Sequence, residues 1–225
     1  MVVWEATRHD VVTRRLLWCG VAAGPLFLLT ALAEGATRAG YHALRHPVSS
    51  LALGPHGWVQ FANFSVAGAL CLGYAVGLWR APKTVVGTRI GAILIGAAAV
   101  GLLGAAAFVT DPVSGYPPGT PSAPGEYTTS GALHDLFSIP TFLGLPAAGF
   151  VFGHWFRKIG NRRWAIYSTG SAVAMLVFFG LASAAFNQVA VLVSFGGLFQ
   201  RATVAIGFAW LTGLAIHTLR AMPTE

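Results

Sequence analysis

One apolar segment, residues 131–155, limits most strongly what this chain can fold into. Its sequence, GALHDLFSIPTFLGLPAAGFVFGHW, is long enough to cross a bilayer, since ~20 residues at ~1.5 Å each span the ~30 Å hydrocarbon core. It nevertheless carries His134 and Asp135 near one end. Ionisable residues in a membrane helix are costly unless they face a protein interior, so this pair indicates a functional site by default.

The composition places most of the chain in lipid. Of its 225 residues, 55% are hydrophobic and only 9% are charged, whereas a soluble domain is ~25% charged. The net charge of +7 therefore does not indicate nucleic-acid binding, because the basic residues lie in short clusters between apolar runs. Cys19 and Cys71 both lie inside apolar segments, which favours buried thiols over a disulfide framework or a CxxC metal site.

Apolar runs of membrane length predict the fold class, an all-α polytopic membrane protein with a six-helix transmembrane bundle. We expect one membrane domain, residues 1–225, because the runs follow one another with short connections or with two longer ones. The first run continues too far for a signal peptide and lacks a cleavage site, so we expect it to be retained. The predicted spans are 16–36, 57–79, 88–109, 131–155, 164–186 and 195–219.

Lysine and arginine are distributed unequally between the two sets of connecting segments. Eleven of the 14 basic residues fall in one set, and only Arg38, Arg45 and Arg201 fall in the other. The positive-inside rule makes the first set cytoplasmic. We therefore expect a multi-pass protein of the cell (plasma) membrane with both termini in the cytoplasm, including the polar segment 1–13.

The two long connections on the predicted outer side, 37–56 and 110–130, are rich in glycine, proline, serine and aromatic residues. Long connections in a compact protein are usually functional or disordered. We expect these two to be ordered and folded over the extracytoplasmic end, because aromatic rings anchor at the interface and prolines restrict the backbone. The rings belong to Tyr41, Trp58, Tyr116 and Tyr127, and the prolines are Pro112, Pro117, Pro118, Pro121 and Pro124.

Polar side chains collect near this same predicted end, as a pocket open to the outer leaflet would require. The candidate catalytic residues are His134, Asp135 and Asp111. The candidate substrate-binding residues are Glu34, Arg38, His46, Ser49, Gln60, Asn63, Gln200 and Arg201. In an enzyme, His134 would be a base or ligand, Asp135 or Asp111 would orient it or act as a second ligand, and Arg201 would stabilise an anion.

A purely structural or interaction role explains the same residues without a ligand. Glu34 would pair with Arg38, Asp135 would pair with Arg201, and Asp111 would cap a turn. Each pairing is an ordinary way to satisfy a charge near a membrane helix end.

Three functional interpretations also remain open. The pocket could act on or bind a lipophilic small molecule such as a lipid, quinone or terpenoid. It could belong to a metal-dependent membrane hydrolase, although no HExxH motif is present. A b-type haem protein would use His154 and His217 as iron ligands. We assign no metal ligand and no cofactor, and the expected partners are membrane lipids and a lipophilic ligand.

Five motifs at the predicted outer end carry a resemblance to a known family. They are 45–51 (RHPVSSL), 54–58 (GPHGW), 108–112 (FVTDP), 131–138 (GALHDLFS) and 197–201 (GLFQR). Together they resemble the bacterial and archaeal membrane family catalogued as domain of unknown function 998, over about residues 16–219. The resemblance implies a polytopic membrane protein and, because that family has no assigned activity, no particular reaction.

Overall fold

Long helices make up most of the protein. The computed structural model describes residues 8–123, 125 and 127–222, and this part of the chain contains helices and no strand. The helices are α1 (Arg8–Thr37), α2 (Gly57–Arg80), a single turn α3 (Lys83–Val86), α4 (Ile90–Ala107), α5 (Thr129–Lys158), α6 (Arg162–Phe186) and α7 (Gly196–Ala221). Six of them are long and apolar enough to cross a membrane. The predicted all-α fold with six membrane-length helices is therefore confirmed.

The helix ends differ from the predicted spans chiefly at the N-terminus. α1 begins at Arg8, eight residues before the expected start of the first span at 16. Hydropathy marks only the part of a helix that prefers lipid, so a helix that continues into polar sequence is longer than its apolar run. Residues 1–7 of the polar N-terminal segment, and Pro124 of the second long connection, lie outside the described residues.

The six long helices form a closed ring in chain order. α1 packs on α2, α2 on α4, α4 on α5, α5 on α6 and α6 on α7, and α7 returns to α1. We call the end that carries connections 38–56, 108–128 and 187–195 the loop end. The opposite end, which carries connections 81–89 and 159–161, is called the basic end.

The centre of the ring is filled near the basic end. Phe152, Phe156 and Trp210 are fully buried there. The indole Nε1 of Trp210 donates a hydrogen bond of 3.1 Å to the Ser168 hydroxyl, so this buried donor is satisfied. Large aromatic side chains close this half of the bundle, and the open space lies toward the loop end.

The two long connections meet over the loop end. The Arg45 guanidinium in the first donates to the carbonyl of Ser114 in the second at 2.9 Å, and to the Ser122 hydroxyl at 3.3 Å. Of the expected interfacial anchors, Tyr127 is 64% exposed but Tyr41 and Tyr116 are buried. The anchoring role predicted for Tyr41 and Tyr116 is therefore wrong. Their rings pack against each other at 5.2 Å instead, because the connections fold onto the bundle.

Candidate functional site

A cavity of about 580 Å³ lies inside the loop-end half of the ring. All six long helices and both long connections contribute to its wall. Along α5 the lining runs from Ala132 to Pro146, which is ~21 Å at ~1.5 Å per residue. The volume falls within the ~300–1,000 Å³ range of small-molecule sites.

The polar residues of the wall are confined to its loop-end part, and the wall toward the middle of the bundle is apolar. Three helices show the same order, read inward from the loop end. Representative lining residues are Ser138, Thr141 and Leu145 on α5; Asn187 just after α6, with Ser183 and Met175 on it; and Gln200, Thr203 and Phe208 on α7. Such a cavity matches a molecule with a polar head and an apolar body, since each part then meets surroundings of its own polarity.

His134 is the buried imidazole at the polar end of this cavity. Its Nδ1 lies 2.8 Å from the carbonyl oxygen of Phe108 and 3.1 Å from that of Ala105, both at the end of α4. Carbonyl oxygens only accept hydrogen bonds, so Nδ1 must carry the hydrogen. In the neutral ring Nε2 is then an acceptor, and no described residue donates to it. The α4 carbonyls thus orient the ring and leave Nε2 for a ligand.

Gln200 supplies the complementary donor. Its Oε1 accepts a hydrogen bond of 2.7 Å from the backbone N–H of Val48, which fixes the orientation of the side-chain amide. The amide nitrogen has no acceptor among the described residues, and the side chain lines the cavity. The polar end therefore offers one acceptor and one donor to a small polar group.

The two aspartates of the cavity wall differ in their hydrogen bonds and in their exposure. The Asp111 carboxylate accepts from the backbone N–H of Thr128 at 2.9 Å and from its hydroxyl at 2.7 Å. Thr128 in turn caps the start of α5, so Asp111 fastens the connection to the helix across 17 residues rather than capping a local turn. Asp135 is exposed at the edge of the cavity. The ion pair expected between Asp135 and Arg201 is not formed, because Arg201 is bound elsewhere.

Two arginines hold the first long connection onto the helices. Arg38 forms an ion pair with Glu34 one turn earlier, and the same guanidinium donates to the carbonyls of Leu51 at 2.9 Å and Leu53 at 3.0 Å. The Glu34–Arg38 pair agrees with the structural alternative. Because buried carbonyls need partners, this guanidinium stabilises the turn Val48–Ala52 against α1.

Arg201 does the same from α7. It donates to the carbonyls of His46 at 3.0 Å and of Ala43, and to the Tyr41 hydroxyl. That hydroxyl donates onward to the carbonyl of Pro47 at 2.8 Å. Burial raises the pKa of Tyr41, so its hydroxyl remains a donor. We call Glu34, Arg38, Tyr41, His46 and Arg201 the loop clamp.

His46 is the titratable member of the loop clamp. Its Nδ1 accepts a hydrogen bond of 2.9 Å from the backbone N–H of His42. Burial, reinforced by the nearby His42, Arg45 and Arg201, lowers the pKa of His46 to about 4. The ring is therefore neutral at physiological pH and acts as an acceptor.

Gln60 and Asn63 lie in a third place, between α1 and α2. Both are buried, and the Asn63 amide donates to the Phe27 carbonyl and to Gln60 Oε1, each at 3.2 Å. Hydrogen bonds of this kind join membrane helices. The predicted site residues are thus distributed over three places. Ser49, Asp111, His134, Asp135 and Gln200 line the cavity, and Glu34, Arg38, His46 and Arg201 belong to the clamp. Asn63 joins α2 to α1, and Gln60 accepts a hydrogen bond from it.

The structure shows how the groups that a metal ion or a haem would need are arranged. Within the described ranges, no three His, Cys, Asp or Glu side chains lie together as a metal-ligand set. His154 is exposed at the basic end. The His217 ring packs 4.5 Å from that of Trp164 and 5.2 Å from that of Phe156.

Two threonines of the cavity wall share a helical face with a predicted site residue, since Thr141 follows His134 by seven residues and Thr203 follows Gln200 by three. Thr141 and Thr203 line the wall, but each hydroxyl donates to a backbone carbonyl, as threonines in membrane helices commonly do. Phe142 and Phe179 stack across α5 and α6 with ring centroids 4.7 Å apart. The sequence signal that could have marked α5 and α7 as cavity helices is that polar residues recur, several positions apart, within their apolar runs.

Six membrane-length helices around a cavity define a polytopic helical membrane protein. A family model described as "Protein of unknown function (DUF998)" matches residues 21–217. The chain belongs to this family, as the resemblance in its motifs predicted. Comparisons with curated proteins and with solved structures each gave no match.

Proposed function

We propose that this membrane protein binds a lipophilic small molecule whose head group forms hydrogen bonds. The observation that carries the proposal is the state of His134, whose Nδ1 is anchored to α4 while Nε2 is left without a partner at the polar end of a mostly apolar cavity. An acceptor that faces a mostly apolar cavity is left without a hydrogen bond unless a ligand or water donates to it. The Gln200 amide beside the same cavity supplies a donor for the same head group.

Binding is better supported than catalysis. Nε2 of His134 could accept a proton as a general base, but two of the other groups that catalysis would use are engaged. The Asp111 carboxylate is bound to Thr128, and the Arg201 guanidinium is bound to backbone carbonyls of the first long connection. An anion formed in the cavity would therefore lack the arginine that the sequence suggested for it.

We further infer that the loop end faces the cell exterior and that the protein resides in the plasma membrane. The support is the concentration of eleven of the 14 basic residues in segments at the basic end, since such segments remain in the cytoplasm. The polar end of the cavity would then lie at the outer leaflet.

The substitution His134→Asn tests the proposal, because it keeps a hydrogen-bond donor at the position of Nδ1 and removes Nε2. The asparagine amide can donate to the α4 carbonyls as Nδ1 does, but it has no atom at the position of Nε2. We expect lipophilic molecules that co-purify with the wild type to fall about tenfold after matched washing, as one lost hydrogen bond of ~1.4 kcal/mol predicts. Mass spectrometry of extracts from detergent-purified protein measures this.

Trp58→Leu provides the matched control, since Trp58 is 67% exposed and lies outside the cavity wall. This variant should retain the co-purified molecules. Thermal unfolding of the three proteins shows whether the asparagine keeps the fold. Equal retention in wild type and His134→Asn, or no co-purified molecule in the wild type, would contradict the proposal.

A further inference from the structure

Part of the cavity wall is also part of the outer surface. Leu136 and Ile139 line the cavity, yet they are 58% and 49% exposed. Tyr127, just before α5, is 64% exposed and lines it as well. The cavity therefore reaches the surface along the first turns of α5.

The positions of the lining residues around α5 show on which side it opens. One face carries His134, Ser138, Thr141 and Leu145, and a second, about 100° around the helix, carries Asp135, Ile139, Phe142 and Pro146. The second face turns toward α6, because the Phe142 ring stacks on Phe179 of that helix. The opening is thus the cleft between α5 and α6.

These two helices approach each other closely at the basic end, where glycines of α5 lie at the contact. A Cβ added to Gly149 would lie 3.1 Å from the Ser168 carbonyl, and one on Gly153 would lie 3.3 Å from the Ala165 carbonyl. Nearer the loop end, α5 and α6 contact each other through the stacked rings of Phe142 and Phe179. Ile139 and Ser183, beyond those rings, both face the cavity.

The cleft lies within membrane-spanning sequence. Leu136 and Ile139 belong to the apolar span Thr129–Lys158, and Ser183 and Phe186 belong to the span Arg162–Phe186. Leucine and isoleucine side chains exposed at an opening are more stable in contact with lipid chains than in contact with water. A molecule dissolved in the bilayer can therefore reach the opening without crossing an aqueous phase.

The charges of the wall restrict the head group. The described lining contains Asp111 and Asp135 but neither lysine nor arginine, so a phosphate or carboxylate head would find no counter-charge. An alcohol can donate to Nε2 of His134 and accept from the Gln200 amide. Its hydrocarbon chain would extend toward Met175 and Phe208.

We infer that the ligand is a membrane-resident amphiphile with an uncharged hydroxyl head, which enters and leaves the cavity sideways through the cleft between α5 and α6. Phe142 and Phe179 form the inner boundary of this cleft. The inference rests on the proposed function, since it requires that the cavity binds a lipophilic molecule at all.

Photolabelling in liposomes tests the route. The probes are a hexadecanol carrying a diazirine on its chain and the matching diazirine hexadecanoic acid. The measured quantity is the initial rate at which probe added to the bilayer labels the peptide that contains Met175 and Phe179. We expect Ile139→Trp, which narrows the cleft, to lower this rate about tenfold for the alcohol, and Phe142→Ala, which widens it, to raise the rate.

Ile166→Trp is the matched control, because Ile166 is 62% exposed on α6 outside the cavity wall. It should label at the wild-type rate. Wild-type rates in both Ile139→Trp and Phe142→Ala would overturn sideways access while leaving binding intact. A lower final extent of labelling in Ile139→Trp, together with a lower rate, would indicate weaker binding of the alcohol. In that case the labelling rate of the alcohol in Phe142→Ala is the test, and a rate no higher than that of the wild type would overturn sideways access.

The acid probe separates the head-group claim from the route. We expect it to label the cavity peptide more slowly and to a lower extent than the alcohol at equal bilayer concentration. Equal labelling by both probes would overturn the hydroxyl-head inference. Absence of cavity labelling by either probe in the wild type would contradict the proposed function itself, and the inference with it.

Discussion

Two buried histidines show how the partner of one ring nitrogen determines what the other can do. In His134, Nδ1 donates to the carbonyls of α4 and Nε2 is left as an acceptor toward the cavity. In His46, Nδ1 is itself the acceptor, for the backbone N–H of His42. A proton added to His46 at Nδ1 would therefore remove a hydrogen bond that holds the first long connection.

We predict that the protein loses stability between about pH 7 and pH 5 in part through His46. The folded-state pKa is lowered to about 4, whereas the unfolded value is ~6.5. In this window the unfolded chain binds a proton that the folded protein does not, so the free energy of unfolding falls as the pH falls. We expect His46 to contribute about 1–2 kcal/mol, reduced by solvent screening near the protein surface. Thermal unfolding in detergent at a series of pH values measures the slope.

His46→Gln is the control for this slope. Glutamine can accept the His42 N–H through Oε1 but does not titrate. The variant should therefore show a flatter dependence on pH, while the remaining histidines and carboxylates titrate as in the wild type. Identical slopes in the two proteins would show that His46 does not contribute.

Local spacing predicted some of these side-chain partners and missed others. The Glu34–Arg38 pair follows from the i, i+4 spacing on a helix. Asp111 was expected to cap a turn, but its partner is Thr128, 17 residues later in the chain. Arg201 was assigned to an anion, but its acceptors Ala43 and His46 lie more than 150 residues earlier in the chain. Contacts between the first connection and α7 depend on closure of the ring, which no local pattern contains.

At the scale of the helix, the glycines of α4 are not equivalent. A Cβ on Gly101 would lie 2.6 Å from the Phe137 carbonyl of α5, a backbone atom that cannot move without shifting its helix. A Cβ on Gly96 would meet its nearest neighbour, Ala75, at 3.7 Å, which is ordinary contact. Which glycine lies at a contact depends on the side that α4 turns toward α5, and the composition of the span does not contain that information.

We predict opposite effects for alanine at these two positions. Gly101→Ala should destabilise the protein by about 1–3 kcal/mol through overpacking against α5. Gly96→Ala should be neutral or stabilising by up to ~1 kcal/mol, since alanine favours the helix. Unfolding in mixed detergent micelles compares the two variants with the wild type. Similar stability of both would contradict the close approach of α4 and α5.

At the scale of the molecule, apolar runs predicted six helices because lipid imposes a length on each of them. They did not predict the ring, since the pairing of α1 with α7 joins opposite ends of the chain. The cavity depends on that pairing. Phe27 of α1 and Phe208 of α7 both line it, with ring centroids 5.0 Å apart. A list of polar residues near helix ends therefore could not separate the five that line the cavity from those that hold the loops.

The orientation of the whole ring is a prediction that reporter fusions can test. Green fluorescent protein fused after α7, or inserted near residue 160, should fluoresce, because both positions belong to the basic end and we expect that end in the cytoplasm. Alkaline phosphatase, which is active only outside the cytoplasm, should be active when it ends a fusion near residue 120 or 190 and inactive near residue 85. The reverse pattern would place the loop end inside the cell. The cavity, with His134 at its polar end, would then open toward the inner leaflet, and its ligand would have to be sought there.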